Sequence, residues 1–244
     1  MNILLTNDDG IGSAGILALE KVLGRKHSTY LVAPLRERSA TSMALTIFDK
    51  MKVEKVNTNH YIVDGYPVDC VNIGLHGNIF PKIDLVISGI NRGVNMGHDV
   101  HYSGTVGAAR HAAIHNYFSL AVSSGKRNPE DSYEPEAEII LKFIDDFFHK
   151  LKPGIVYNIN FPIKFQEYPK SIKATKLGIR TYFDTYHVTN VYESISDYFL
   201  GGSELGQKPS PDSDFSAYDS GYISITPITL ETTYYNEMDE INKW

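Results

Sequence analysis

Two adjacent carboxylates, Asp8 and Asp9, stand directly behind the apolar run Ile3-Leu4-Leu5 and in front of Gly10. Two like charges side by side repel unless something positive sits between them, and a divalent cation is the obvious candidate. Ser39 and the amides Asn91 and Asn95 also follow apolar runs that read as strands, at 30–33 and 84–88. In a parallel sheet these loops leave the same edge, where open α/β folds bind their ligands. Two carboxylates, a hydroxyl and side-chain amides form an all-oxygen donor set, suited to Mg²⁺ or Mn²⁺ and not to zinc or copper. Taken alone, Ser39 and Asn95 read as ordinary turn residues. The aspartate pair does not, because its self-repulsion at the mouth of an apolar strand needs a counter-charge. Downstream, Ser103 is a good N-cap, and the small residues Gly104, Thr105, Gly107 and Ala108 behind it leave helix amides open to an anion such as phosphate.

Periodicity supplies the elements that must hold these groups. Ile3, Leu4 and Leu5 read as a strand buried on both faces, as in a parallel sheet covered by helices. A helix is predicted over 13–25 from Ile16, Leu17, Leu19, Val22 and Leu23, and a β-hairpin over 45–63 with its turn near 57–59. Helices are expected at 68–75, 105–115 and 134–151, and strands at 119–123 and 155–160, with a long glycine- and asparagine-rich loop over 89–104. Strands alternating with helices imply an α/β fold with a mostly parallel sheet. The character changes from Lys170 onward: Tyr, Thr and Ser dominate, 222–228 alternates like a strand, and a helical tail begins near 231. The reading is therefore a core over 1–165 and a smaller β-rich C-terminal lobe over 166–244, both parts of one functional unit.

With 244 residues and 42% hydrophobic composition the chain is long enough for one large α/β domain. The net charge of −6 argues against a nucleic-acid polymer or an anionic membrane as a specific partner, since both call for a basic face. A single cysteine, Cys70, excludes an internal disulfide framework and fits a reducing compartment; with no signal sequence or membrane span visible, the expected location is cytoplasmic. A Walker-type glycine loop and the Gly-x-Ser-x-Gly elbow are missing from the sequence. His98, Asp99 and His101 read as solvated loop residues. His111 and His115 lie one helical turn apart without a carboxylate at metalloprotease spacing, and Asp145-Asp146 reads as a solvated helix face.

The run Ile3-Leu4-Leu5-Thr6-Asn7-Asp8-Asp9-Gly10, then Ala33-Pro34 and Arg38-Ser39, resembles the survival protein E (SurE) family of nucleotidases. Ser88-Gly89-Ile90-Asn91 with Gly93, Asn95, Gly97 and Asp99, then Tyr102-Ser103-Gly104-Thr105-Val106, extends the likeness. So do Asp69-Cys70-Val71, Asp214-Phe215 with Ala217, and Gly221-Tyr222-Ile223-Ser224-Ile225-Thr226-Pro227. It is densest over 1–125 and thinnest over 128–210. Ala40, Arg110-His111 and Asp212-Ser213 depart from the family pattern.

The resemblance implies a Rossmann-like α/β domain with a C-terminal segment exchanged between subunits in a homodimer or homotetramer. It implies a metal-dependent phosphatase acting on nucleoside monophosphates, as a 5′-nucleotidase with 3′-nucleotidase and exopolyphosphatase activity alongside. One divalent cation per subunit, Mg²⁺ or Mn²⁺, would sit on Asp8, Asp9, Ser39 and Asn91, with Asp8 and Asp9 as the catalytic pair. Asn95, Ser103, Gly104 and Thr105 would line the phosphate pocket. Two rivals share the acidic strand ends: a phosphatase with an aspartyl nucleophile, which forms a phospho-enzyme, and a receiver-like phospho-binding module without turnover.

Overall fold

In the computed structural model, which describes residues 1–128, 130–202, 206–208 and 210–244, the first strand is buried on both faces. Ile3 and Leu5 pack into one hydrophobic core and Leu4 into a second, as the period-two alternation of a strand requires. That strand, β1 (Asn2–Thr6), is central to a nine-stranded sheet built with β2 (Ser28–Pro34), β3 (Val53–Lys55), β4 (His60–Val63), β5 (Leu85–Arg92), β6 (Phe118–Ser124), β7 (Val156–Phe161), β8 (Ile172–Ala174) and, late in the chain, β13 (Ile223–Ile228). The strand order is β3-β4-β2-β1-β5-β6-β7-β13-β8. All neighbours are parallel except β3 with β4 and β13 with β7.

Helices α1 (Ala14–Leu23) and α4 (Glu134–Phe147) cover one face, α2 (Pro67–His76) and α3 (Gly104–Ile114) the other. Ile16, Leu19, Ile140 and Ile144 join Ile3 and Leu5 in the first core, while Cys70, Val71, Ala108 and Ala112 join Leu4 in the second. The small residues of α3 let it approach closely: a Cβ on Gly107 would lie 2.1 Å from the Ser42 carbonyl oxygen. The chain runs from β1 outward to β2 on one side and returns to β5 on the other. The carboxyl ends of β1 and β5 therefore form a topological switch point, the crevice where doubly wound folds place ligands.

The remaining elements are β9 (Ile179–Thr181), β10 (Asp184–Tyr192), β11 (Ile195–Gly202), β12 (Gly206–Lys208), α5 (Asp214–Asp219) and α6 (Tyr235–Ile241). β10 and β11 form a separate antiparallel ribbon, and β9 pairs with β12. Three local features differ from the sequence expectation. The hairpin forms only over β3 and β4; the stretch 45–52 has no strand, and Thr46 is instead tied by its amide and hydroxyl to the buried Asp69 carboxylate. The loop expected from 89 starts later, because β5 continues to Arg92 through a register shift between Ser88 and Asn91, and Gly97–His101 forms a short 3-10 turn. The strand at 222–228 lies inside the main sheet as β13, antiparallel to β7. No helix among the described residues is long and apolar enough to cross a membrane.

Candidate active site

Asp8 lies two residues past the end of β1 and is 6% exposed. Its Oδ1 accepts a hydrogen bond from Thr105 Oγ1 at 2.7 Å. A Cβ on Gly104 would fall 3.0 Å from Asp8 Oδ2, so a larger residue there would press on the carboxylate that the first turn of α3 approaches. The anion at the positive end of α3 is thus Asp8 itself. Burial is the largest influence on its carboxyl group and pushes the pKa up to about 6; the bonds from Thr105 oppose the rise and the charge of Asp9 adds to it. Asp9 is also raised, again chiefly by burial, against the pull of Arg92, whose backbone N–H reaches Asp9 Oδ2 at 3.4 Å.

Asp8, Asp9, Ser39, Asn91, Asn95 and Ser103 all line one cavity of about 340 Å³, together with Glu37, Asp99, Arg92, Arg127, Arg180, Tyr102 and Tyr182. Ser39 is exposed on the loop after β2 and donates its hydroxyl to Glu37 Oε1 at 2.8 Å. Asn91, near the end of β5, donates Nδ2 to the Gly93 carbonyl at 2.8 Å. Ser103 accepts the Val106 N–H at 3.1 Å as the N-cap of α3, which leaves its own O–H free to donate. Gly104 and Thr105 stand behind the wall rather than on it, with the Thr105 hydroxyl committed to Asp8.

Asn95 is 8% exposed and is fixed from behind by a polar cluster. Its N–H donates to Asn160 Oδ1 at 2.8 Å, its carbonyl accepts Nδ2 of Asn158 at 2.8 Å and of Asn160 at 3.1 Å, and its Nδ2 donates to Ser123 Oγ at 2.9 Å. Sequence reasoning took 155–160 only as a strand. The alternation of Asn158 and Asn160 at its carboxyl end puts two amides on one face and was the available signal.

The C-terminal lobe supplies a second set that motif reading missed. Arg180, the middle residue of β9, holds Asp99 through Nε at 3.0 Å and Nη2 at 2.7 Å, and Tyr182 donates its hydroxyl to Asp99 Oδ1 at 2.8 Å. Burial first, and then that bond, push the Tyr182 phenol well above its usual range. Asp99, expected to be solvated, is a bidentate ion-pair acceptor. Asp214, fully buried at the start of α5, accepts backbone N–H bonds from Gly97 at 2.7 Å, Gly178 at 2.8 Å and Phe215 at 2.9 Å. These contacts clamp the loop carrying Asn95 and Ser103 to the lobe. Arg180 and Tyr182 fall where the sequence carries the weakest motif content, and no spacing rule marked them.

Among the described residues no three His, Cys, Asp or Glu side chains are grouped to hold an ion by themselves. Within the cavity Asp8, Asp9, Ser39 and Asn91 offer two carboxylates, a hydroxyl and an amide, and Asp8 has no cationic partner among the described residues. A repelling carboxylate pair, Asp8 buried and Asp9 partly so, with neutral oxygen donors nearby fits a hard divalent cation.

A doubly wound α/β domain with an acidic, oxygen-lined crevice at its switch point is the class that fold and site define. The family model described as survival protein SurE matches residues 3–184. The chain is 61% identical over 242 residues to a Leptospira interrogans protein named 5′-nucleotidase SurE, covering 99% of this chain and 97% of that one. It is 37% identical to a protein of the same name from Geotalea uraniireducens, covering 100% and 99%. The crystal structure of SurE from Aquifex aeolicus superposes with a TM-score of 0.84 at 33% identity, covering 100% of this chain and 99% of that one. The chain belongs to the survival protein SurE family.

Proposed function

We propose that this chain is a divalent-metal-dependent nucleotidase that hydrolyses nucleoside monophosphates at the 5′ ester, and also 3′ esters and the terminal phosphate of polyphosphate. The observation that carries the reading is that Asp8, Asp9, Ser39 and Asn91 share one cavity with Asn95 and Ser103. The names of relatives matched over nearly their whole length, 5′-nucleotidase SurE, support the 5′-nucleotidase part.

In this reading Asp8, Asp9, Ser39 and Asn91 hold one Mg²⁺ or Mn²⁺ per subunit. Such a cation supplies neutralisation of phosphate charge and a water more acidic than bulk. Of the aspartate pair, Asp8 is by preference the residue to take a proton from the attacking water. Thr105 Oγ1 orients it by fixing one carboxylate oxygen. The Asn95 amide and the Ser103 hydroxyl are the neutral groups available to the phosphate oxygens, and Asn158 with Asn160 keeps Asn95 from shifting when charge develops there.

Release of inorganic phosphate from AMP, with Mg²⁺, Mn²⁺ or EDTA, tests the reading. Metal-dependent turnover abolished by EDTA is expected. Binding of AMP without release would favour the receiver-like module, and a covalent phosphate trapped on Asp8 or Asp9 would favour the aspartyl-phosphate route.

A homo-oligomer with exchange of C-terminal elements belongs to the same proposal. It is supported by the ribbon β10–β11, both of whose strands are exposed, with Tyr186 66%, Val191 69%, Ile195 65% and Phe199 64% accessible. An isolated two-stranded ribbon is marginal in water, and this apolar surface calls for a second copy. A light-scattering mass equal to one chain at micromolar concentration would contradict it.

A further inference from the structure

Three guanidinium groups face the site cavity, and two of them are tethered. Arg180 is bound to Asp99, and Arg92 stands 3.7 Å from Glu37. Arg127 has neither an ion pair nor a side-chain hydrogen bond among the described residues, yet its backbone is anchored on its N-terminal side. Gly125 donates its N–H to the Phe161 carbonyl at 2.8 Å, and it packs so tightly that a Cβ there would lie 2.0 Å from the Tyr218 hydroxyl. Lys126 donates to Ser132 O at 2.6 Å and to the fully buried Glu136 at 2.9 Å. The result is a fixed stem with an uncommitted cationic head.

The head lies over the Gly93 turn: a Cβ on Gly93, whose φ is +108°, would stand 3.9 Å from Arg127 Nε and Nη2. The Gly93 carbonyl is the acceptor for the Asn91 amide, so the turn next to the Arg127 head is the one that holds Asn91, and both side chains line the cavity. A guanidinium presents a planar fork that matches two oxygens of a phosphate, and one not already paired loses no partner on binding it.

We propose that Arg127 is a binding and specificity residue of this cavity, taking oxygens of the substrate phosphate through its guanidinium. The proposal rests on the nucleotidase reading for the identity of the substrate, but the anion it binds can be measured without turnover.

Calorimetric titration of inorganic phosphate into the full-length protein, wild type, Arg127→Gln and Arg127→Lys, tests this directly, with AMP kinetics alongside. Loss of one charge-assisted bidentate contact is expected to weaken phosphate binding and raise KM for AMP by about tenfold in Arg127→Gln, with the lysine variant between. KM should move more than kcat. Phosphate affinity within about twofold of wild type in Arg127→Gln, or no measurable phosphate binding by wild type, overturns the proposal. If wild type binds phosphate but releases none from any nucleoside monophosphate, the nucleotidase reading fails while the Arg127 comparison still stands.

Discussion

Thr105 Oγ1 donates to Asp8 Oδ1 at 2.7 Å, joining the first turn of α3 to the segment behind β1 across 97 residues of chain. The bond is made by a fully buried hydroxyl to a nearly buried carboxylate, and it favours the ionised form of Asp8. Thr105→Val keeps the shape and removes the donor. Because a bond to a charged group contributes about 1.5–3 kcal/mol, the variant should move the acid limb of the pH–rate profile upward and lower the melting temperature at pH 8. An unshifted acid limb would separate Asp8 from the rate.

The elevated carboxyl pKa of Asp8 makes a stability prediction for the metal-free chain. Since the folded pKa of about 6 exceeds the ordinary aspartate value of 3.8, the native state binds the extra proton between those values. Its contribution is fully present below pH 3.8 and is lost as pH rises through 6. Asp8→Asn, uncharged throughout, should therefore be more stable than wild type at pH 8 in EDTA, by up to about 3 kcal/mol, while losing orders of magnitude in activity. Urea titrations of both proteins with chelator measure the difference. Equal or lower stability of the variant would show that the carboxylate is not strained in its site.

His111, 8% exposed on α3, has the opposite sign. Burial first, and then the neighbouring imidazoles of His115 and His76, depress its pKa from 6.5 to about 4. The unfolded chain binds the proton more readily across that window, so stability is full above pH 6.5 and falls as pH drops toward 4. The difference in unfolding free energy between wild type and His111→Gln should decline over the same range. A difference independent of pH would mean that His111 titrates normally.

Asn160→Ala removes the acceptor for the Asn95 N–H and one donor to the Asn95 carbonyl. A buried amide left without a partner costs about 1–3 kcal/mol. Stability should fall by that amount, and phosphate affinity should weaken with it because Asn95 is no longer held against the cavity. Full phosphate affinity in a destabilised variant would confine Asn160 to a packing role.

The sheet, its parallel character and the acidic strand mouth were legible because they rest on local signals. Runs such as Ile3-Leu4-Leu5 must be buried on both faces, and Asp8-Asp9 is a pair that short-range repulsion makes conspicuous. The convergence of Ser39, Asn91 and Asn95 followed from topology, since strand ends of a parallel sheet share an edge. Thr105 was placed on the pocket wall because an N-terminal helix turn favours anions. What the spacing could not disclose is that the anion there is the chain's own Asp8. Arg180, Tyr182 and Asp214 were illegible as site residues because they act through contacts between segments about 80 to 120 residues apart. No periodicity encodes such pairings. The strand β13 entered the main sheet rather than the lobe because its partner β7 is set by tertiary pairing and not by chain order.

Binding of Mn²⁺ to the metal-free protein, followed by calorimetry in wild type, Asp8→Asn, Asp9→Asn and Asn91→Ala, addresses the central claim most directly. One ion per chain in wild type is the expected result, with affinity reduced at least about a hundredfold by either aspartate substitution and less by loss of the neutral amide. Unchanged Mn²⁺ affinity in both Asp8→Asn and Asp9→Asn would contradict the account.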